Sequence, residues 1–497
     1  MIELQNAFYD GPGSQALDNA ARLGIPVAGF DLMRRAASAA LTVVVAEYPT
    51  ASRLLIVCGK GNNAGDGYLL AALARAQGIT ATVLALTPPS ELKDDAIDAH
   101  AEAAGAGVEI LTEVTTAFSG AYDVLIDALL GTGFQGDVRP TYVAAIEAIN
   151  AAGTPVVSID LPSGVNASTG NAAVAVAADH TVTFISRKAG IFTGPGRARA
   201  GRIHLAGLGV PPHLFSRPCA YECRWEPARL QPPALASYKH QRGHVLVAGG
   251  DLGMPGAVAM AAEAALRTGA GMVTIATQPA HAAAMLARVP EAMTLDPRDA
   301  DFLNRLAQMD LVVLGPGLGR ADWGQALFEQ VEATGLPVVL DADGLFWLAQ
   351  RSAWHGGPLF LTPHSAEAAR LLGLSVQDIE ADRLAHARQL SDRFQARVDL
   401  KGPGSVVALL TRTEICVHGN PGMATAGMGD VLSGIVGGVL AEAARSRAAD
   451  PVVDSLFSAG VALHSAAADV AVRKTGTRSL IATDVVRALP ATLQVEP

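Results

Sequence analysis

Short apolar runs alternate with stretches of helical spacing along most of the chain. RLLIVC (53–58), TATVLAL (80–86), YDVLID (122–127), TPVVSID (154–160) and HTVTFI (180–185) read as buried strands. Alanine-rich helical stretches between them give the rhythm of βαβ units in mainly parallel sheets. The rhythm breaks between Pro211 and Gln241, where PPHLFSRPCAYECRWEPARLQPPALASYKHQ is proline-rich and aperiodic. It resumes with HVLVAGG (244–250), MVTIAT (272–277), LVVLGPG (311–317), PVVLDADG (337–344) and PLFLTP (358–363). The pattern predicts two α/β domains, residues 1–215 and 242–497, joined by a proline-rich linker region, 216–241. No repeat with a period of about 20–50 residues is present.

Composition narrows the picture. A chain of 497 residues is too long for one hydrophobic core, and 50% hydrophobic with 17% charged residues suits close-packed α/β domains. A net charge of −10 without a basic stripe argues against a nucleic-acid partner. Four scattered cysteines fit a reducing compartment, and Cys219 and Cys223 lack the further Cys or His pair of a metal site. MIELQNAFYD has no apolar core of a signal peptide, and no apolar run reaches the roughly 18 residues of a membrane span. The expectation is a soluble, cytoplasmic protein without a membrane partner.

Candidate chemistry begins at CGKGNNAGDGYLL (58–70). Gly59, Gly61 and Ala64 match the spacing of a dinucleotide-binding turn, with YLLAALARA supplying an amphipathic helix whose free N–H groups would face a ligand. Asn62, Asn63 and Asp66 do not suit a bare phosphate cradle, and LALTPPS offers no acid for a ribose at the end of the second strand. Ordinary NAD-dependent dehydrogenase chemistry is therefore disfavoured. Asp127 and Asp160 close two further strands, and the carboxyl ends of parallel strands line a common crevice. Asn63, Asp127 and Ser163 could converge there as hard oxygen ligands, whereas each acid taken alone could simply cap the next helix.

In the second half, GNPGMATAGMGDVLSGIVGGVLAEAA (419–444) turns a glycine-rich segment into an apolar helix. Gly427, Gly429 and Asp430 would set bare amides and a carboxylate within one turn, pairing an anion hole with a general base as phosphoryl transfer requires. The alternative is a helix cap on a packing turn. LKGPGS (400–405) offers Lys401 and two glycines to nucleotide phosphates, VVLGPGLG (312–319) offers another glycine turn, and LTPHSAEAARLLG (361–373) sets His364 before a helix. Asp399, inside RVDLKG, is out of place in an apolar strand.

These segments carry a family resemblance. GKGNNAGDG, DALLGTG, DLPSG and RKAGIFTGPG resemble the NAD(P)H-hydrate epimerase family over roughly residues 1–215. The resemblance implies a Rossmann-like, three-layer α/β/α domain in which Asn62, Asn63, Ala64, Gly65 and Asp66 contact the hydrated nucleotide. With them would stand Gly131, Thr132, Gly133, Phe134, Gln135, Gly136, Asp137, Tyr142 and Asp160. It also implies K+ held near Asn63, Asp127 and Ser163. Interconverting the two C6 epimers of hydrated NADH or NADPH needs a proton donor or acceptor at the ring, for which Asp160 is the candidate. Lys188 could assist it, contact phosphate, or lie on the surface. LMRRAAS (32–38) departs from the family's Leu-Met-Glu-Arg-Ala-Gly, and Ala64 replaces a glycine.

HVLVAGGDLGMPGA, GPGLG, LDADGL, LTPHSAEAARLLG, KGPGS and NPGMATAGMGD resemble the ribokinase-like NAD(P)H-hydrate dehydratase family over about residues 225–493. Ala257, Gly317, His364 and Asp430 would face the hydrated nucleotide; Lys401, Gly402, Pro403, Gly404, Ser405 and Gly429 would contact ADP or ATP. Asp430 would activate the C6 hydroxyl for attack on the terminal phosphoryl group, with Mg2+ screening the phosphates. The glycine loops suit ADP and ATP alike. The resemblance further implies a homo-oligomer. A ribokinase-like small-molecule kinase would use the same Asp430 turn, and a nucleotide sensor would need only a structural Asp160.

Overall fold

The computed structural model describes residues 6–24 and 29–494; Met1–Gln5, on which part of the N-terminal reading rests, lie outside the described residues. The chain divides into two compact units, Met1–Tyr221 and Glu222–Pro497.

Unit one is built on a seven-stranded sheet ordered Glu109–Leu111, Thr80–Ala85, Arg53–Cys58, Val124–Ala128, Val156–Ile159, His180–Phe184, Arg202–Ala206. Every neighbouring pair is parallel. Strand Arg53–Cys58 shows why three layers form. Leu54, Ile56 and Cys58 point into one core with helices Gly29–Glu47 and Asn62–Ala76, while Leu55 and Val57 point into another with helix Pro140–Ala151. Both faces of the strand are therefore apolar, and the period-two signal collapses into the continuous run RLLIVC. The chain first winds toward Glu109–Leu111 and then returns past its starting strand to Val124–Ala128. That reversal opens a crevice at the carboxyl ends of Arg53–Cys58 and Val124–Ala128.

Two sequence readings are corrected here. YLLAALARA is only the rear of its helix, which begins at Asn62, so the glycine-rich loop is itself the first helical turn. The helix is also buried nearly all round rather than amphipathic. Its glycines permit this: a Cβ on Gly65 would sit 2.6 Å from Met33 Cε, and one on Gly67 would sit 2.7 Å from Ala128 Cβ. The departing segment LMRRAAS lies in helix Gly29–Glu47, where Arg34 forks onto Glu102 through two bonds of 2.9 and 2.6 Å.

Unit two carries a sheet ordered Met293–Leu295, Met272–Ala276, His244–Ala248, Leu311–Leu314, Val338–Leu340, Leu359–Leu361, Arg397–Leu400, Val406–Ala408, Thr413–Cys416. Pairing is parallel as far as Arg397–Leu400 and antiparallel beyond it. Val245 and Val247 face a core shared with helices Pro255–Thr268, Met428–Ser446 and Asp450–Thr475; Leu246 and Ala248 face the opposite core. Helix Asp450–Thr475 has the length and hydropathy of a membrane span, but 72% of its apolar window is buried in the protein. The segment read as a linker is structured: Ala220–Cys223 is a strand, and Trp225 is buried and donates to the Thr492 carbonyl at 3.0 Å.

Helices Met428–Ser446 and Pro255–Thr268 approach so closely that a Cβ on Gly434 would lie 2.2 Å from the Ala261 carbonyl. Backbone cannot give way as a flexible side chain does. Gly434→Ala should therefore cost about 1–3 kcal/mol by overpacking, read as a lowered melting temperature. An unchanged melting temperature would show that the helices can part freely.

Candidate active sites

In unit one the crevice is a cavity of about 620 Å3. Asn62, Asn63, Asp66, Gly131, Thr132, Gly133, Phe134, Gln135, Asp137, Tyr142 and Asp160 border it. Ala64 and Gly65 lie behind the rim in the first helical turn, and Gly136 turns the loop with a φ of +75°. Tyr142 shares a hydrogen bond of 3.3 Å with Thr87.

Asp160 is the electrostatic centre of this cavity. It adopts a φ of +68°, unusual for a residue with a side chain, and its backbone N–H is tied to the Val182 carbonyl at 2.8 Å. Its Oδ1 meets Lys188 Nζ at 2.7 Å, and its Oδ2 accepts from Thr132 N at 2.9 Å and Thr132 Oγ1 at 2.6 Å. Burial works to raise its pKa, but the Lys188 ammonium and the Thr132 bonds outweigh it and hold the carboxyl below its usual value. Lys188 is no surface lysine: its side chain is 2% exposed and also donates to the Phe184 carbonyl at 2.7 Å. Two other acids on the rim move the opposite way. Burial and repulsion from Asp160 push Asp18 up to about 6, and burial with the same neighbour lifts Asp66 well above the carboxylate range.

Asp127 and Ser163 are fully buried beneath the loop. Asp127 accepts from Ser158 Oγ at 2.7 Å, Ser163 N at 2.8 Å, Ser163 Oγ at 2.5 Å and Leu129 N at 3.3 Å. Ser163 Oγ in turn accepts from Leu130 N at 2.9 Å. Asn63 is buried with neither amide atom hydrogen-bonded. An orphaned amide oxygen near the loop held by Asp127 and Ser163 fits a weakly hydrated monovalent cation, whose ligands are hard oxygens with little net charge.

In unit two the strand ends converge on Lys401. Its Nζ lies 2.7 Å from Asp341 Oδ1 and 3.8 Å from Glu367 Oε2. Burial opposes its charge, but these acids raise its pKa above the ordinary value. Gly429 explains its own residue type, since a Cβ there would lie 2.9 Å from Asp341 Oδ2 and 3.2 Å from Lys401 Nζ. Gly427, left-handed at a φ of +85°, starts helix Met428–Ser446 without a side-chain cap, so the first amides stay open. Asp430 stands in that first turn, and burial followed by repulsion from Asp341 pushes it up to about 7. Asp430 makes no cap of its helix: Gly427 has taken that position.

The other expected residues have separate tasks. His364 is exposed and caps helix Ser365–Leu372, its Nδ1 accepting from Ala366 N at 3.1 Å and Glu367 N at 3.3 Å. His364 and Lys401 form a parallel bridge, which joins the cap to the lysine. Gly317, at a φ of +58°, faces Met254 and Ala257. Gly402 leaves room for the Arg383 guanidinium, and Pro403, Gly404 and Ser405 complete the turn into strand Val406–Ala408. Asp399 is buried in strand Arg397–Leu400, where burial pushes it up to about 7 while Lys401, Arg383 and Ser405 pull against that rise.

Sequence reasoning missed Asp341, Glu367, Asp18 and Arg22 as site residues. Asp341 could have been found, because it ends strand Val338–Leu340 in LDADG. Glu367 carried only a capping signal, and burial raises it to about 7. No carboxylate cluster for Mg2+ was apparent along the chain, yet the fold gathers Asp341 and Glu367 at Lys401. Their oxygens fit a hard divalent cation bound together with phosphates.

The fold and sites define an α/β nucleotide enzyme with one site in each unit. Family models match in the same halves: the YjeF-related protein N-terminus over residues 29–190 and NAD(P)H-hydrate dehydratase over 245–491. The bifunctional NAD(P)H-hydrate repair enzyme Nnr of Coxiella burnetii is 41% identical over 472 residues, covering 92% of this chain and 94% of its own. Its Escherichia coli namesake is 39% identical over 462 residues, covering 92% and 88%. A solved ADP/ATP-dependent NAD(P)H-hydrate dehydratase from Bacillus subtilis, co-crystallised with ATP/Mg2+, is 27% identical, covers 54% of this chain and 94% of its own, and has a TM-score of 0.47. The chain belongs to the family of bifunctional NAD(P)H-hydrate repair enzymes.

Proposed function

We propose that unit one interconverts the R and S C6 epimers of hydrated NADH and NADPH, and that unit two dehydrates the S form using ADP or ATP. The products are NADH or NADPH, phosphate, and AMP or ADP. The observation carrying this reading is a carboxylate set at each site, Asp160 fixed between Lys188 and Thr132 at the unit-one cavity and Asp430 in the uncapped first turn of helix Met428–Ser446.

In unit one the C6–O bond breaks as the hydroxyl takes a proton and leaves as water; water then adds to the other ring face. Asp160 takes the proton of the incoming water, and Asp18 or Asp66, with their raised pKa values, gives a proton to the departing hydroxyl. Asn63, Asp127 and Ser163 would hold K+, whose charge would brace the Gly131 loop.

In unit two Asp430 takes the C6 hydroxyl proton as that oxygen attacks the terminal phosphoryl group, and the open amides of helix Met428–Ser446 receive the developing charge. The phosphorylated oxygen leaves C6 as phosphate, and loss of the adjacent ring proton restores the double bond. Lys401 and the turn through Ser405 would grip the nucleotide, with Asp341 and Glu367 positioned to hold Mg2+ and neutralise its phosphates. The cytoplasm is the compartment of these substrates, and the free thiols of Cys58, Cys219, Cys223 and Cys416 suit it. A homo-oligomer belongs to the same reading.

The decisive assay mixes both NADPH-hydrate epimers with ADP, and separately with ATP, and follows NADPH absorbance. Complete recovery faster than spontaneous epimerisation is expected. Stable phosphorylation of another small molecule, with the hydrate ignored, would replace this reading with the kinase.

A further inference from the structure

On the same sheet as Asp160's strand, three metal-ligating side chains meet outside the residues that line the cavity. Glu47 closes helix Gly29–Glu47, His180 opens strand His180–Phe184, and His204 lies in strand Arg202–Ala206. The strand register pairs His180 with Arg202 and Val182 with His204, so both histidines occupy one face of the sheet. Val182, on that face, shares a hydrophobic core with Ala40 and Val44 of the helix that ends in Glu47. Three separate elements thus direct ligands to one point.

The geometry is close to a binding site. One potential ligand atom from each residue lies within 4.8 Å of the others, and all three residues are half-buried. His180 Nδ1 and His204 Nε2 are 2.9 Å apart, with their rings stacked at 5.2 Å between centroids. Tyr48 holds the His180 ring edge-on at 5.6 Å. Arg202 Nη1 lies 3.1 Å from Glu47 Oε1, an outer partner that orients the carboxylate and leaves its second oxygen for a ligand.

We propose that Glu47, His180 and His204 bind a borderline divalent cation of the zinc class. A tetrahedral ion with Zn–N bonds of about 2.0–2.1 Å needs its nitrogens about 3.3 Å apart, so the rings need to separate by only a few tenths of an ångström. The proton between the two nitrogens moves to the far nitrogen of its ring, a tautomer change that leaves both imidazoles neutral. Two imidazoles and a carboxylate leave one position for water. The ion clamps the outermost strand, Arg202–Ala206, to its neighbour and to helix Gly29–Glu47, a structural role separate from both reactions.

The test uses the full chain freed of metal by chelator dialysis and titrated with ZnCl2 in a calorimeter. Wild type should bind one equivalent that His180→Gln and His204→Gln each weaken at least about tenfold. Zinc should raise the melting temperature of the wild type and not of the double variant. Co2+ supplies an independent readout: its visible tetrahedral spectrum should form on the wild type and vanish in either histidine variant. Cys219→Ser, removing an exposed thiol, should leave binding unchanged. Retention of the equivalent and the cobalt spectrum by the double variant, or no binding below millimolar zinc, overturns the proposal and leaves a histidine pair joined by a hydrogen bond.

Discussion

Asp430→Asn is expected to remove nucleotide-dependent dehydration of the S-hydrate by about 10²–10⁴-fold, the usual worth of a positioned general base, while epimer exchange continues. The substitution keeps the side chain's size and removes both its basicity and its charge. Asp341 stays paired with Lys401 at 2.7 Å, so the nucleotide-binding side of the cluster is retained and the loss should fall on kcat more than on KM for the nucleotide. Removing a carboxylate that burial already pushes up to about 7 relieves an unfavourable charge, so the melting temperature should hold or rise. The pH profile gives a second check. A base raised to about 7 is protonated and idle below that pH, so wild-type dehydration should fall about tenfold per pH unit on the acid side. That acid limb should be absent from the residual rate of the variant. An unchanged limb after substitution would assign the base elsewhere, with Glu367, also raised to about 7, the next group to replace.

The legible and illegible parts of the molecule differ for physical reasons. Strands buried on both faces wrote themselves as unbroken apolar runs, and the carboxyl ends of those runs marked the cavity of unit one and the Lys401 cluster of unit two. Helix Asn62–Ala76 was harder, because its first turn is made of asparagine, glycine and aspartate, residues that usually signal a loop. Only tertiary packing against Met33 and Ala128 explains why glycine is used there. The ion pairs were invisible for a different reason. Lys188 and Asp160 are far apart in the chain, as are Lys401 and Asp341, and no periodicity reports which charged residues a fold buries together. Arg34 makes the same point: it departs from the family segment, and its partner Glu102 comes from another helix.

Asp160→Asn should abolish epimer exchange, and its effect must be separated from damage to the fold. Asparagine cannot accept the proton from water, which predicts a loss of about 10²–10⁴-fold in exchange. It also strands Lys188, 2% exposed, without its counter-ion, and removing one partner of a buried pair costs about 3–5 kcal/mol. Asp160→Asn should therefore lower the melting temperature as well as the activity. Lys188→Met, made together with Asp160→Asn, removes the stranded charge and should recover much of that stability without any recovery of exchange. With unit two intact, the NADPH recovered from a mixture of epimers should then rise quickly to the S fraction and continue only at the spontaneous rate. If the double variant regained exchange along with stability, Asp160 would be a structural anchor for Lys188, and the base would have to be sought among Asp18 and Asp66. Lys188→Met alone divides these outcomes further. Freed of its cation, Asp160 should lose its depressed pKa, so any exchange that survives should shift its acid limb to higher pH.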